Sequence, residues 1–331
     1  MELATQAALF DAGTHARRWA DGYAAAGARA DVFHDPADAS WLAMLEELAA
    51  IAGDDLSHAR ERVQRHAADI GTGFRIIGEE AERPWPLSPV PLLIDDAEWS
   101  TIERGVVQRA ELLETILRDL YGPAALVTRG HLPATLVTGS PFYLRPLVGV
   151  TPPGGCHLHF VAIDLGRGPS GEWRVLADHL RTPTGAGYAL ENRLAVSRTL
   201  GGLQGRLNVR RHAPFFSAFR DGLAASCRRS DPRIGLLTPG RYNPSYAEQA
   251  HLARYLGFLL VEGDDLVVRD GLLHVRTIAG LKRTDAVWRR IDADYLDPME
   301  LRADSRLGVP GILQVLRRGG AVVGNMPGSG V

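Results

Sequence analysis

The chain has 331 residues, enough for two domains or for one large domain with an added lobe. Hydrophobic residues make up 45% and charged residues 23%, a balance typical of a globular protein with a substantial core. The formal net charge of −2 argues against a nucleic-acid-binding protein, because such proteins carry a basic excess on one face.

Other classes are excluded by what the sequence lacks. It has no run of about 18 apolar residues, so it predicts no membrane span. The amino terminus lacks a basic segment followed by an apolar stretch, which predicts no secretory signal. Cys156 and Cys227 lie far apart, and we expect two free thiols in a reducing, cytoplasmic compartment. Lys282 is the only lysine, which excludes any mechanism that needs two lysines from the isolated chain.

The first third of the chain has a helical pattern. Alanine-rich sequence predicts helices over residues 1–75, with apolar residues at helical spacing in Trp41–Ala52. Four prolines between residues 84 and 91 then predict an extended connector. A helix follows from about Thr101 to Tyr121, where Gly122 is placed to end it. One apolar stripe supports this helix: Val106, Ala110, Leu113, Leu117 and Leu120.

From Ser140 the pattern changes to short β-prone runs, namely residues 141–150, 157–165 and 172–180. The second and third predict an antiparallel hairpin within residues 160–181. Alternation places Asp164, Ala177 and His179 on one face and Asp178 on the other. A metal that holds nucleotide phosphates needs hard oxygen ligands from adjacent strands, and only one of the three positions on this face is a carboxylate.

The last hundred residues predict a βαβ unit, with strands at 233–240 and 258–263 and a helix at 244–257. Asn243 is the expected N-cap of this helix, Pro244 its first residue and Gly257 its end. Ligands of such units usually lie at the carboxyl ends of the strands, which here means the loop Thr238–Asn243. Asp270 and Gly271 predict a type I′ turn in a following hairpin.

A polar pocket is predicted near that loop, because charged residues crowd the end of the strand DAVWRRID. An internal salt-bridge network would explain the same charges. The substrate-pocket candidates are Tyr242, Asn243, Arg289, Arg290 and Asp292.

Two arginines are candidate catalytic residues, Arg290 and Arg145. Arg145 would either bind an anion through its guanidinium or form a buried ion pair. His157, His159 and His179 suggest a transition-metal site, but alternation separates His179 from the other two, which favours histidines of the core or surface.

Many motifs in one order resemble the circularly permuted ATP-grasp type 2 family. They cover most of the chain from about Arg83 and include ERPWPLSPVPLLI, SPFYLRPLVGVTPPGG, RTPTGAGYALENR, LLTPGRYNPSYAEQAHLARYLGFLLVEGDDLVVRDG, SRLGVPG and NMPGSGV. The resemblance implies a mixed α/β fold with three parts. These are a helical segment over 1–82, an ATP-grasp-like hairpin and helix lobe over 83–230, and a βαβ pre-ATP-grasp-like lobe over 231–331.

The resemblance also implies a site that this chain holds incompletely. Active members carry a Leu-Glu-Asp-Asn pattern on the returning strand of the hairpin. Its Glu and Asn, with an Asp on the preceding strand, hold Mg²⁺ against the phosphates of ATP. The matching positions are Ala177, His179 and Asp164. Alanine offers no ligand, and histidine is a soft donor for Mg²⁺.

The family's nucleotide lysines follow its GSG loop, and this chain stops at GNMPGSGV, so we expect it to be cut short relative to the full family pattern. The leading prediction is therefore a degenerate family member that is not catalytic alone, although a complete site would use ATP and Mg²⁺. Its expected partner is a protein, either an active paralogue or a downstream α-helical domain. The alternatives are an ATP-dependent carboxylate–amine or peptide ligase completed by a partner chain or missing segment, and a small-ligand module built on the βαβ lobe.

Overall fold

A computed structural model describes residues 2–25, 38–52, 56–70, 73–74, 81, 83–168 and 170–331. The chain divides into two compact units. The first unit comprises residues 1–102, 165–176 and 186–211, and the second comprises residues 103–164, 177–185 and 212–331. The three-part division expected from the sequence stays a prediction. No helix within the described residues combines the length and apolar character needed to cross a membrane.

The first unit is mostly helical. Its helices are α1 (Glu2–Ala25), α2 (Ala39–Ala52), α3 (Ser57–Ile70), α7 (Ala186–Thr199) and α8 (Gly201–Arg206). The predicted apolar face of α2 is confirmed, because Trp41, Met44 and Leu48 are buried against α1 and α8. Two short strands, β1 (Gly73–Phe74) and β2 (Arg83–Pro84), pair antiparallel.

The helix predicted at 101–121 is confirmed and begins earlier, since α4 spans Asp96–Leu120. The side chain of Asp95 accepts a hydrogen bond from the backbone N–H of Glu98 at 2.8 Å, which explains the earlier start. Gly122 follows the end of the helix and donates its N–H to the carbonyl of Asp119.

The segment 141–150 was predicted as a strand, and this is wrong. It forms turns and a 3₁₀ helix at Arg145–Leu147, and the short helices α5 (Ala125–Thr128) and α6 (Ala134–Thr138) precede it. Pro141 and Pro146 have no N–H for a strand ladder, which is why β-propensity fails here. The hairpin is confirmed as β3 (Ala162–Arg167) and β4 (Trp173–His179).

A parallel four-stranded sheet forms the centre of the second unit. Its strands are β5 (Ile234–Leu237), β6 (Leu259–Val261), β10 (Ala286–Arg289) and β11 (Val322–Gly324). Their order in the sheet is β11-β10-β5-β6. This unit also contains the helices α9 (Ala213–Ala225), α10 (Tyr246–Leu256) and α11 (Ile312–Arg317). The predicted βαβ unit is confirmed, because β5 and β6 pair in parallel and α10 connects them.

The N-cap prediction for α10 is wrong. Ser245 is the N-cap, and α10 begins at Tyr246 rather than at Pro244. Asn243 instead accepts hydrogen bonds from the Ser245 N–H at 3.0 Å and the Gln249 side chain at 3.2 Å. This local turn delays the start of the helix. Gly257 ends α10 in the left-handed conformation with φ of 72°, as predicted.

An antiparallel sheet of β7 (Leu266–Arg269), β8 (Leu272–Thr277) and β9 (Gly280–Arg283) completes the second unit. Its first turn has φ of 54° at Asp270 and 73° at Gly271, which confirms the type I′ turn. The core beneath the sheets is apolar, and fully buried members include Leu237, Leu273, Val287, Ile312 and Leu313.

Asn325 follows β11 and attaches the base of the hairpin to the parallel sheet. Its Oδ1 accepts from the N–H groups of His159 at 2.8 Å and Phe160 at 2.9 Å. Its Nδ2 donates to the carbonyls of Phe160 at 2.6 Å and Leu180 at 2.7 Å. The residue is only 2% exposed, so water cannot replace these bonds.

We expect Asn325→Asp to lower the free energy of unfolding by about 3 kcal/mol, because it removes two donors and turns a carboxylate toward two buried carbonyls. Urea denaturation of the variant and of Gln108→Glu, the same chemical change on the exposed side of α4, measures the effect. A loss no larger than that of the control would show that the amide does not hold the hairpin.

Candidate functional site

The hairpin brings two of the three predicted metal positions together. His179 Nε2 lies 2.8 Å from Asp164 Oδ2, which agrees with the prediction that both side chains share a face. The two side chains are 50% and 60% exposed. Ala177 precedes His179 by two residues on β4 and presents a methyl group.

Asp178 lies on the opposite face of β4 and has a structural partner. Arg109 of α4 donates two parallel hydrogen bonds to it, from Nε and Nη2, each 2.6 Å long. These hydrogen bonds are the main reason that the pKa of Asp178 lies below its usual value. The paired acid therefore attaches β4 to α4 and is not a free ligand.

The residues at this face do not fit a Mg²⁺ ion bound to nucleotide phosphates. Magnesium in proteins prefers oxygen donors in a near-octahedral arrangement. Asp164 provides the only carboxylate among the three positions, and its Oδ2 already meets the imidazole of His179. Among the described residues, no group of three or more His, Cys, Asp or Glu side chains could hold a metal ion.

The second predicted site, at the carboxyl ends of the parallel strands, contains two buried arginines. Arg289 is 1% exposed and donates to the carbonyls of Asn325 and Ile291, both at 2.8 Å. Burial lowers the pKa of Arg289 to about 10, and the nearby Asp292 carboxylate partly opposes this shift. The guanidinium thus connects the ends of β10 and β11 through main-chain oxygens.

Arg290 is 6% exposed and donates to the carbonyl of Pro183. Its guanidinium lies 5.2 Å from the centre of the Trp288 ring, and burial is the main cause of its lowered pKa. From the start of α10, the buried Glu248 accepts the N–H of Gly185 at 2.7 Å. Residues from the ends of the strands therefore bind the segment 180–185 of the chain itself.

Two further contacts fix the same segment. Ser329 donates to the carbonyl of Leu180 at 2.8 Å, and Arg181 forms an ion pair with Asp292 at 2.6 Å. In an open α/β sheet this crevice is where a ligand would lie. Here the segment 180–185 contacts the residues at that edge.

The structure does not bring the remaining pocket candidates into the same cluster. Tyr242 is 76% exposed, and the guanidinium of Arg241 lies over its ring. Asn243 is half-buried and serves the turn before α10. Arg145 is exposed rather than part of a buried ion pair, and its guanidinium makes no hydrogen bond or ion pair with any residue that the structure describes.

The sequence interpretation missed a polar cluster at the end of α4. The carboxylate of Glu114 lies 2.9 Å from the ring nitrogen Nδ1 of His157. It also accepts hydrogen bonds from the backbone N–H groups of His157 and Leu158. Burial alone would raise the pKa of Glu114, but these hydrogen bonds outweigh it and hold the pKa below the usual value. The sequence contains one indication of this cluster, because Glu114 is a charged residue beside the apolar stripe of α4.

His157 and His159 do not form the transition-metal site that the sequence suggested as an alternative. His159 Nε2 lies 3.2 Å from the hydroxyl of Ser226, and burial lowers the pKa of His159 to about 4. His157 is 4% exposed and pairs with Glu114. The separation of these two residues from His179, expected from strand alternation, agrees with their different partners.

Comparison with known proteins identifies the fold family. The family model for circularly permuted ATP-grasp type 2 proteins matches residues 91–331. The uncharacterized protein Rv2567 of Mycobacterium tuberculosis is 46% identical over 250 residues, which are 75% of this chain and 28% of the relative. The uncharacterized protein Rv2411c of the same organism is 39% identical over 287 residues, 86% of this chain and 52% of the relative.

The uncharacterized protein sll0335 of Synechocystis is 37% identical over 292 residues, 87% of this chain and 61% of the relative. The chain thus spans between about a quarter and three fifths of the length of these relatives. Because the family model covers residues 91–331, the chain belongs to the circularly permuted ATP-grasp type 2 family.

Proposed function

We propose that this chain is a non-catalytic ATP-grasp-like protein that acts as a scaffold or binding partner and does not bind Mg²⁺-ATP by itself. One observation carries the proposal. Two hairpin positions correspond to metal ligands in active family members. At the first, Ala177 offers no donor atom, and at the second, the imidazole of His179 lies within hydrogen-bond distance of Asp164 Oδ2.

The size of the expected loss supports this proposal. Phosphoryl transfer depends on metal ions and cationic side chains that stabilise charge in the transition state. Removing two of three metal ligands costs roughly 3 kcal/mol or more of that stabilisation, and each 1.4 kcal/mol corresponds to about a tenfold change in rate. Lys282, on β9, is the only lysine in the chain, so a site with two nucleotide lysines would need another segment or protein.

The contacts of segment 180–185 favour scaffolding over small-molecule binding in the crevice at the carboxyl ends of the strands. Arg290 and Glu248, which could have recognised a ligand, bind the backbone of Pro183 and Gly185. We further propose a protein partner, either an active paralogue or an α-helical domain of a longer polypeptide. A reducing, cytoplasmic compartment is part of the proposal, and the two free thiols, Cys156 and Cys227, support it.

Isothermal titration calorimetry with ATP tests the central claim. We expect no Mg²⁺-dependent binding up to about 1 mM ATP, because the hairpin offers one carboxylate in place of a ligand set. The control is the same titration with EDTA in place of Mg²⁺. A dissociation constant in the micromolar range that requires Mg²⁺ would refute the proposal.

Restoring the family ligands tests whether these two positions are the cause. The double variant Ala177→Glu, His179→Asn adds a carboxylate and releases Asp164 from its histidine, so we expect it to bind Mn²⁺ at least about tenfold more tightly than the wild type. Electron paramagnetic resonance of free Mn²⁺ measures the affinity.

The control for this experiment adds Asp164→Asn to the double variant, which should return Mn²⁺ affinity to the wild-type level. If the double variant binds Mn²⁺ no better than the wild type, the hairpin substitutions do not account for a lost metal site.

A further inference from the structure

A cavity of about 320 Å³ lies at the carboxyl end of α4, within the second unit. Arg118, Tyr121 and His157 line it, together with glycine-rich backbone from residues 149–155. Gly149 and Gly155 have φ of 81° and 70°, and a Cβ at either position would meet no atom within 4 Å. The volume is at the lower end of the range for small-molecule sites.

His157 brings an oriented imidazole to this cavity. Its Nδ1 faces Glu114 Oε1 at 2.9 Å, and the lowered pKa of Glu114 means that the carboxylate is ionised and accepts this proton. A neutral imidazole that donates from Nδ1 keeps a lone pair on Nε2. Nε2 makes no hydrogen bond with any described residue, although the side chain is only 4% exposed. The fold thus leaves this ring nitrogen without a partner among the described residues, and in the neutral imidazole it accepts a hydrogen bond.

Arg118 supplies a cation with spare donors. Its Nη2 lies 3.5 Å from Glu114 Oε1 and 3.4 Å from the carbonyl of Gly155, both long contacts, and its side chain is 62% exposed. Nε and Nη1 make no hydrogen bond within the described part of the chain. Because Arg118 and His157 approach the same oxygen of Glu114, the two groups are close neighbours. A guanidinium fork fits a carboxylate through two parallel hydrogen bonds.

We propose that this cavity is a separate ligand site, which binds a small acid that carries a hydroxyl or ammonium group on the carbon next to its carboxylate. The carboxylate meets Arg118, and the hydroxyl or ammonium donates to His157 Nε2. This site is distinct from the hairpin of Asp164 and does not depend on nucleotide binding.

The surroundings favour such a ligand over a multiply charged anion. The cavity lies at the carboxyl end of a 25-residue helix, whose dipole favours positive and disfavours negative charge. Glu114 adds a second negative group behind the imidazole. An ammonium beside the carboxylate is stabilised by both features, so an α-amino acid should bind at least as well as the corresponding α-hydroxy acid.

Three ligands of nearly equal size test the assignment: alanine, lactate and propionate differ only in the group beside the carboxylate. Ligand-observed NMR titration of the 331-residue chain should give dissociation constants for alanine and lactate about tenfold lower than for propionate, as expected for one hydrogen bond. The ¹⁵N resonance of His157 Nε2 should shift with the first two. Equal affinity for all three, or no binding by any, overturns the proposal.

Two variants test the residues. Arg118→Gln should weaken lactate binding about tenfold or more, while Arg104→Gln, a change on the exposed side of the same helix, should leave it unchanged. His157→Asn keeps a side-chain N–H for Glu114 but removes Nε2, and should weaken lactate to the level of propionate. If that variant does not fold, Arg118→Gln and the ligand series decide alone. Wild-type affinity in Arg118→Gln overturns the assignment.

Discussion

The side-chain amide of Asn325 is the interaction on which the geometry of the second unit depends. One amide has a limited number of donors and acceptors, and Asn325 uses both ends with the backbones of Phe160 and Leu180, at the two sides of the hairpin base. The end of β11 therefore holds the base of the hairpin through backbone groups of both its strands. Arg289 strengthens this arrangement, because it donates to the carbonyl of Asn325 itself.

The two buried arginines in this region donate to main-chain oxygens rather than to carboxylates. A buried guanidinium is costly unless its donors find partners, and the carbonyls of residues 183, 291 and 325 accept hydrogen bonds from them, while Arg290 Nε has no partner among the described residues. This arrangement explains how the dense group of charges at the end of β10 is used within the fold. The cations connect loops, and the segment 180–185 lies against the strand ends in place of a ligand.

Regular features were predictable from the sequence, and features that depend on long-range contacts were not. Strand alternation placed Asp164 and His179 together, and the Asp270-Gly271 pair gave the correct turn, because both follow from local geometry. The strand expected at 141–150 failed because its prolines outweigh β-propensity. The Glu114–His157 pair joins residues 43 positions apart, so no periodicity could show it. The hydrogen bond from Arg290 to the carbonyl of Pro183 could not be predicted for the same reason, because the two residues are 107 positions apart.

The hairpin face that carries Asp164 and His179 contributes little to the stability of this fold. The side chain of Asp164 is 60% exposed and that of His179 is 50% exposed, so changes there remove few buried contacts. Asp178, between Ala177 and His179, is different, because its two hydrogen bonds with Arg109 attach β4 to α4. Residues 177 and 179 can therefore change while the strand keeps the contact between Asp178 and Arg109 on its other face. Under the function proposed here, this separation is the physical reason that the family fold persists while the hairpin lacks the oxygen donors that magnesium requires.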